Sequence, residues 1–91
     1  MADRHKSAIK RHRQSIKRAA RNQSIRSRVR RIVRSLRETI ESKDAAAAET
    51  QLKTAIVALD KAATKGVFHR NNVSRRISRL SRQVSALRNA A

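Results

Sequence analysis

The stretch KGVFHRNN, residues 65–72, decides how this chain folds. It holds the only glycine among 91 residues that include no proline. The sequence on both sides reads as helix, so Gly66 marks the place where one helix ends and another begins. Glycine is the usual residue just past a helix C-terminus, because it adopts the left-handed conformation without steric cost. Lys61 and Lys65 stand beside it, where the helix dipole favours cations. Asn71 and Asn72 are the candidate N-caps of the next helix.

Working outward, three apolar stripes appear. After the turn, Val73, Ile77, Leu80, Val84 and Leu87 recur at steps of four and three and share one helical face. Before it, Leu52, Ile56, Leu59 and Ala63 form the stripe of a helix that starts at Ser42 or Asp44 and runs through four strongly helix-forming alanines, 45–48. Earlier still come Ile25, Val29, Ile32, Leu36 and Ile40, with Val33 beside them, in a first helix from about Asp3 to Ser42. Three stripes with short connections predict an all-α fold, a three-helix bundle. A first helix of about 38 residues is roughly 57 Å long, against roughly 30 Å for the others, so it must overhang. The chain reads as one domain, residues 1–91, with a basic arm over 1–22 and a bundle over 23–91.

The overhang changes character along its length. In heptad steps, Ile32 leads back to Ile25, Arg18, Arg11 and Arg4; Leu36 leads to Val29, Asn22, Ser15 and Ala8. The line that is apolar in the second half becomes basic and polar in the first. Lys6, Lys10, Arg11, Arg13, Lys17, Arg18 and Arg21 are too dense to serve solubility alone.

Charge names the class of partner. Lys and Arg number 24 against 6 acids, a net charge of +18. The net charge is +13 over residues 1–37, −2 over 38–64 and +7 over 65–91. The outer segments are expected to face a polyanion, with the middle helix structural or solvent-facing. Beyond Lys65 every basic residue is Arg, whose planar fork suits phosphate. Ile, Leu, Val and Phe supply 19 residues, close to the level at which a highly charged chain is disordered. The fold is expected to be marginal alone and firm on its partner.

Other classes find no support in the residues. One Gly excludes a Gly-rich phosphate loop, and no Ser sits in a nucleophile elbow. His5 and His12 are seven apart and His69 is remote, which is poor metal-ligand spacing. No enzyme, cofactor, metal or small-molecule substrate is expected. The N-terminus lacks the apolar core of a secretory signal, and its basic character runs too far for a transit peptide. No apolar run reaches membrane-spanning length, and residues 1–21 carry too little apolar bulk for a membrane-surface helix. With Phe68 as the sole aromatic, base stacking is not the binding mode; backbone and shape are. Phe68 is expected to plug the base of the bundle. A folded RNA and non-specific DNA packaging both fit this composition.

The segment KGVFHRNNVSRRISRL, residues 65–80, resembles the C-terminal signature of a bacterial small-subunit ribosomal protein family, S-twenty. LDKAATKG (59–66) and KSAIKRHRQSIKRAARNQSIRSRVR (6–30) also look like it. The resemblance covers nearly the whole chain. It implies a three-helix bundle with an extended first helix that binds the 5′ part of small-subunit ribosomal RNA early in assembly, near the foot of the long penultimate RNA helix. The contacts it implies are Lys6, Lys10, Arg11, Lys17, Arg21, Asn22, Arg26 and Ser27 on the first helix. At the turn and third helix they are Lys65, His69, Arg70, Asn71, Arg75, Arg76, Ser78 and Arg79. Ile77 stands where the family often has a basic residue, and Val73 where it has a smaller one. The expected partners are that RNA and other ribosomal components, in the cytoplasm rather than an organelle; a histone-like DNA binder is the alternative.

Overall fold

The computed structural model describes the backbone of residues 2–90 and the side chains of residues 6–90; the side chains of Arg4 and His5 lie outside the described ones. Three helices follow in order: α1 (Ala2–Glu41), α2 (Ala45–Thr64) and α3 (Arg70–Ala90). The radius of gyration is 18.4 Å, whereas a compact domain of this length has about 12 Å. The excess comes from α1, whose 40 residues reach about 60 Å.

The core confirms the stripes on α1 and α3. Val29, Val33 and Leu36 are buried on α1, and Val73, Leu80 and Val84 on α3, with Ile25, Ile32, Ile40, Ile77 and Leu87 packed around them. On α2 the expected stripe is displaced. The fully buried residues are Ala48, Ala55, Leu59 and Ala62, while Ile56 is only half-buried. The cause is the position of α2, which packs against both α1 and α3 while these two scarcely touch each other. A helix with two neighbours needs a wide face of small residues. Ala48, Ala55 and Ala62 supply it at heptad spacing, with Leu52 and Leu59 between them. The middle helix is thus the structural centre rather than a solvent-facing one.

Both helix connections use the same closure. At the end of α1, Lys43 N–H donates to Ile40 O at 3.0 Å and Asp44 N–H to Thr39 O at 3.4 Å. At the end of α2, Gly66 N–H donates to Ala63 O and Val67 N–H to Ala62 O, each at 3.0 Å. This is the paired Schellman pattern, which takes up carbonyls the helix leaves open and needs a left-handed residue. Gly66 supplies it at φ 76°, and Lys43 at φ 63°. Asp44 then caps α2, its carboxylate accepting from Ala47 N–H at 3.2 Å.

Candidate nucleic-acid interface

The arm leaves the bundle abruptly. Every residue from 6 to 21 is exposed, and Asn22 is the first half-buried one. Lys6, Lys10, Arg13, Lys17 and Arg21 succeed one another at steps of four and three, so they share one face. Arg11 and Arg18 lie on the continued line of the core stripe. No acid occurs between residues 6 and 21. Cations at the N-terminal end of a helix oppose its dipole, and five pairs here (6–10, 10–13, 13–17, 17–21, 18–21) set like charges three or four apart. The arm therefore gains nothing from its own electrostatics and presents its charge outward. Ile9 and Ile16, 43% and 56% exposed, occupy another face.

Asn22 stands apart from its basic neighbours. Its amide oxygen is buried without a hydrogen-bond partner among the described residues, so it belongs to the joint between arm and bundle. Arg26 and Ser27 beyond it are exposed.

The turn is anchored from below. Val67 is buried and Phe68 packs against the core, the plug expected of it. The Arg76 guanidinium lies over the Phe68 ring, 5.1 Å from its centroid. Lys65, His69, Arg70 and Asn71 are exposed above this anchor. The N-cap of α3 is His69, not Asn71 or Asn72. Its Nδ1 accepts from Asn71 N–H at 3.1 Å, and its carbonyl accepts from Val73 N–H at 3.1 Å. A ring that accepts at Nδ1 carries its proton on Nε2, leaving that N–H as the outward donor. The sequence favoured Asn because Asn caps far more often than His. The consequence is that the Asn71 backbone N–H is already taken, and only its side chain faces outward.

The expected residues of α3 divide between two faces. Asn71, Arg75 and Ser78 follow at steps of four and three on the side away from the core, and Arg82 continues the row. Arg76 and Arg79 lie on the flank toward α1, where they line a groove with Arg30, Arg34 and Arg37. Among the described residues there is one ion pair, Arg88–Glu49 at 3.4 Å, exposed on both sides and of little energetic weight.

The protein-family comparison matches the model described as ribosomal protein S20 over residues 3–85. The chain belongs to the ribosomal protein S20 family. Among its relatives, the small ribosomal subunit protein bS20 of Maridesulfovibrio salexigens is 51% identical over 83 residues, covering 91% of this chain and 95% of the relative. That of Geobacter metallireducens is 49% identical with the same coverage, and that of Oleidesulfovibrio alaskensis 47%. The S20 family comprises structural ribosome components, not enzymes. Within this S20 chain, the reading from sequence omitted Arg30, Arg34, Arg37 and Arg82. The signal was present in their spacing: Arg30, Arg34 and Arg37 recur at steps of four and three on α1, and Arg82 continues the row Asn71, Arg75, Ser78 on α3, but past Ser27 the first helix was read only for its apolar stripe.

Proposed function

We propose that this chain is a structural component of the small ribosomal subunit, in the cytoplasm, that binds small-subunit ribosomal RNA directly in its 5′ domain. It contacts phosphates and RNA shape and holds separate RNA helices together during assembly, beside other ribosomal components. One observation carries this reading: an exposed, acid-free basic arm, residues 6–21, projects about 24 Å beyond a bundle that buries its own apolar stripes. The candidate contacts are the arm cations Lys6, Lys10, Arg13, Lys17 and Arg21 with Arg11 and Arg18, joined by Asn22, Arg26 and Ser27 at the joint. The turn and third helix add Lys65, His69, Arg70, Asn71, Arg75, Arg76, Ser78 and Arg79.

The mechanism is charge neutralisation at fixed geometry. Each Arg or Lys laid on a phosphate releases a condensed counterion. A rigid bundle that offers two basic surfaces lowers the repulsion between two RNA segments and fixes their separation. The His69 Nε2–H and the Asn71 side chain are suited to phosphate or 2′-hydroxyl oxygens.

Hydroxyl-radical footprinting of the protein on naked small-subunit ribosomal RNA tests this. Discrete protected backbone segments within the 5′ domain are the expected result. Uniform weak protection, abolished equally by a DNA duplex competitor, would leave a non-specific histone-like binder.

A further inference from the structure

The geometry points to a second anion site, distinct from the arm, in the groove between α1 and α3: a cleft for a single run of RNA phosphodiester backbone. The inference rests on the RNA-binding reading above and adds a site to it. Arg30, Arg34 and Arg37 line one wall and Arg76 and Arg79 the other, over a floor of buried Val33 and Leu80. The cleft holds about 690 Å³, within the range of a drug-sized ligand. That is room for a short run of backbone and not for a duplex.

Three features select a phosphate chain as the occupant. The cations lining this groove are all Arg, the residue whose fork grips phosphate bidentately. None is engaged in an ion pair: Glu38 and Glu41 share the cleft, yet the one ion pair among the described residues lies elsewhere, between Arg88 and Glu49. The charges also run in order, with Arg76 at the end held on Phe68 beside the turn and the two glutamates at the other. A strand is thus admitted from the turn side and turned away before the end of α1.

The groove and the arm address different RNA segments. By helical phase, the groove arginines of α1 lie about 130° around the axis from the row Lys6, Lys10, Arg13, Lys17, Arg21. One rod-like RNA helix along the arm does not reach both. In the free protein the two Arg rows repel each other across the least-contacted pair of helices. Bound backbone supplies the missing α1–α3 interface, so RNA closes the bundle as well as being held by it.

The test is the full chain with Arg34→Gln, Arg37→Gln and Arg79→Gln together, which leaves Arg76 on Phe68. Without RNA, its melting temperature should rise, since like charges are removed and no buried contact is lost. Affinity for small-subunit ribosomal RNA should fall, the slope of log K against log salt should flatten by about two, and one footprint should vanish while the arm footprint stays. Arg→Lys at the same positions should keep most of the slope. A triple Gln variant with wild-type affinity, slope and footprint would overturn the inference, and if arm substitutions still weaken binding the RNA reading survives it. A lowered melting temperature in both the Gln and Lys variants would also overturn it, because the arginines would then be packing groups. An acidic protein segment as the true occupant would show as unchanged RNA binding.

Discussion

Replacing Arg11, Arg18 and Arg21 together by Ala separates the arm's binding role from its fold. In the free protein Arg21 lies four residues from Lys17 and three from Arg18, so the change removes two like-charge pairs, each worth about 0.2–0.5 kcal/mol. All three positions are exposed, no core contact is lost, and Ala is the best helix former. The free arm should therefore be as helical as before or more so, by roughly 0.4–1 kcal/mol in favour of helix. On RNA the same change removes three counterion-releasing cations, and the salt slope should flatten by about two to three. Fluorescence anisotropy with labelled small-subunit ribosomal RNA over a salt series reads the second effect, and circular dichroism at 222 nm the first. The two readouts should move apart. An unchanged slope would refute the arm as a phosphate binder; helicity falling in step with affinity would mean that the arginines hold the helix rather than the RNA.

Four further outcomes follow from the fold. Gly66→Ala should cost about 1–2 kcal/mol, a fall of several degrees in melting temperature; a Cβ there meets nothing within 4 Å, so the cost is purely that of a left-handed backbone. Lys43→Gly should stabilise the fold by at most about 1 kcal/mol, seen as a slight rise in melting temperature, because it relieves the same conformation at the other turn. His69→Ala should lose about 0.5–2 kcal/mol of capping, whereas His69→Asn should keep the melting temperature and still weaken RNA binding, having lost the Nε2 donor; thermal melts and anisotropy on both variants check this. Ala55→Leu should destabilise by about 1–3 kcal/mol or more in a denaturant titration, because Ala55 is completely buried where α2 meets its neighbours.

Much of this was legible because local and global signals agree. The stripes of α1 and α3 alternate large apolar residues with long charged ones, so periodicity alone orients them. Gly66 stood out as the single glycine and does form the left-handed closure of α2. The centre of α2 was harder to read, since Ala48, Ala55 and Ala62 carry little hydrophobic weight and their burial follows from having helices on both sides. Lys43 takes the left-handed position without any residue-type signal, and His69 caps α3 with a ring that propensity ranks low. The α1–α3 groove was hidden for a different reason. Its arginines come from segments 39 or more residues apart, and only the parallel packing of the two helices on α2 sets them face to face.

The measurement that bears most directly on the account is affinity for the isolated 5′ domain of small-subunit ribosomal RNA, compared with a scrambled RNA and a DNA duplex of equal length across a salt series. A preference for the ribosomal RNA that survives at moderate salt is predicted, since the arm, turn and groove sit at fixed separations that only a folded target matches. Equal affinity for all three, collapsing together as salt rises, would contradict it and leave only the charge.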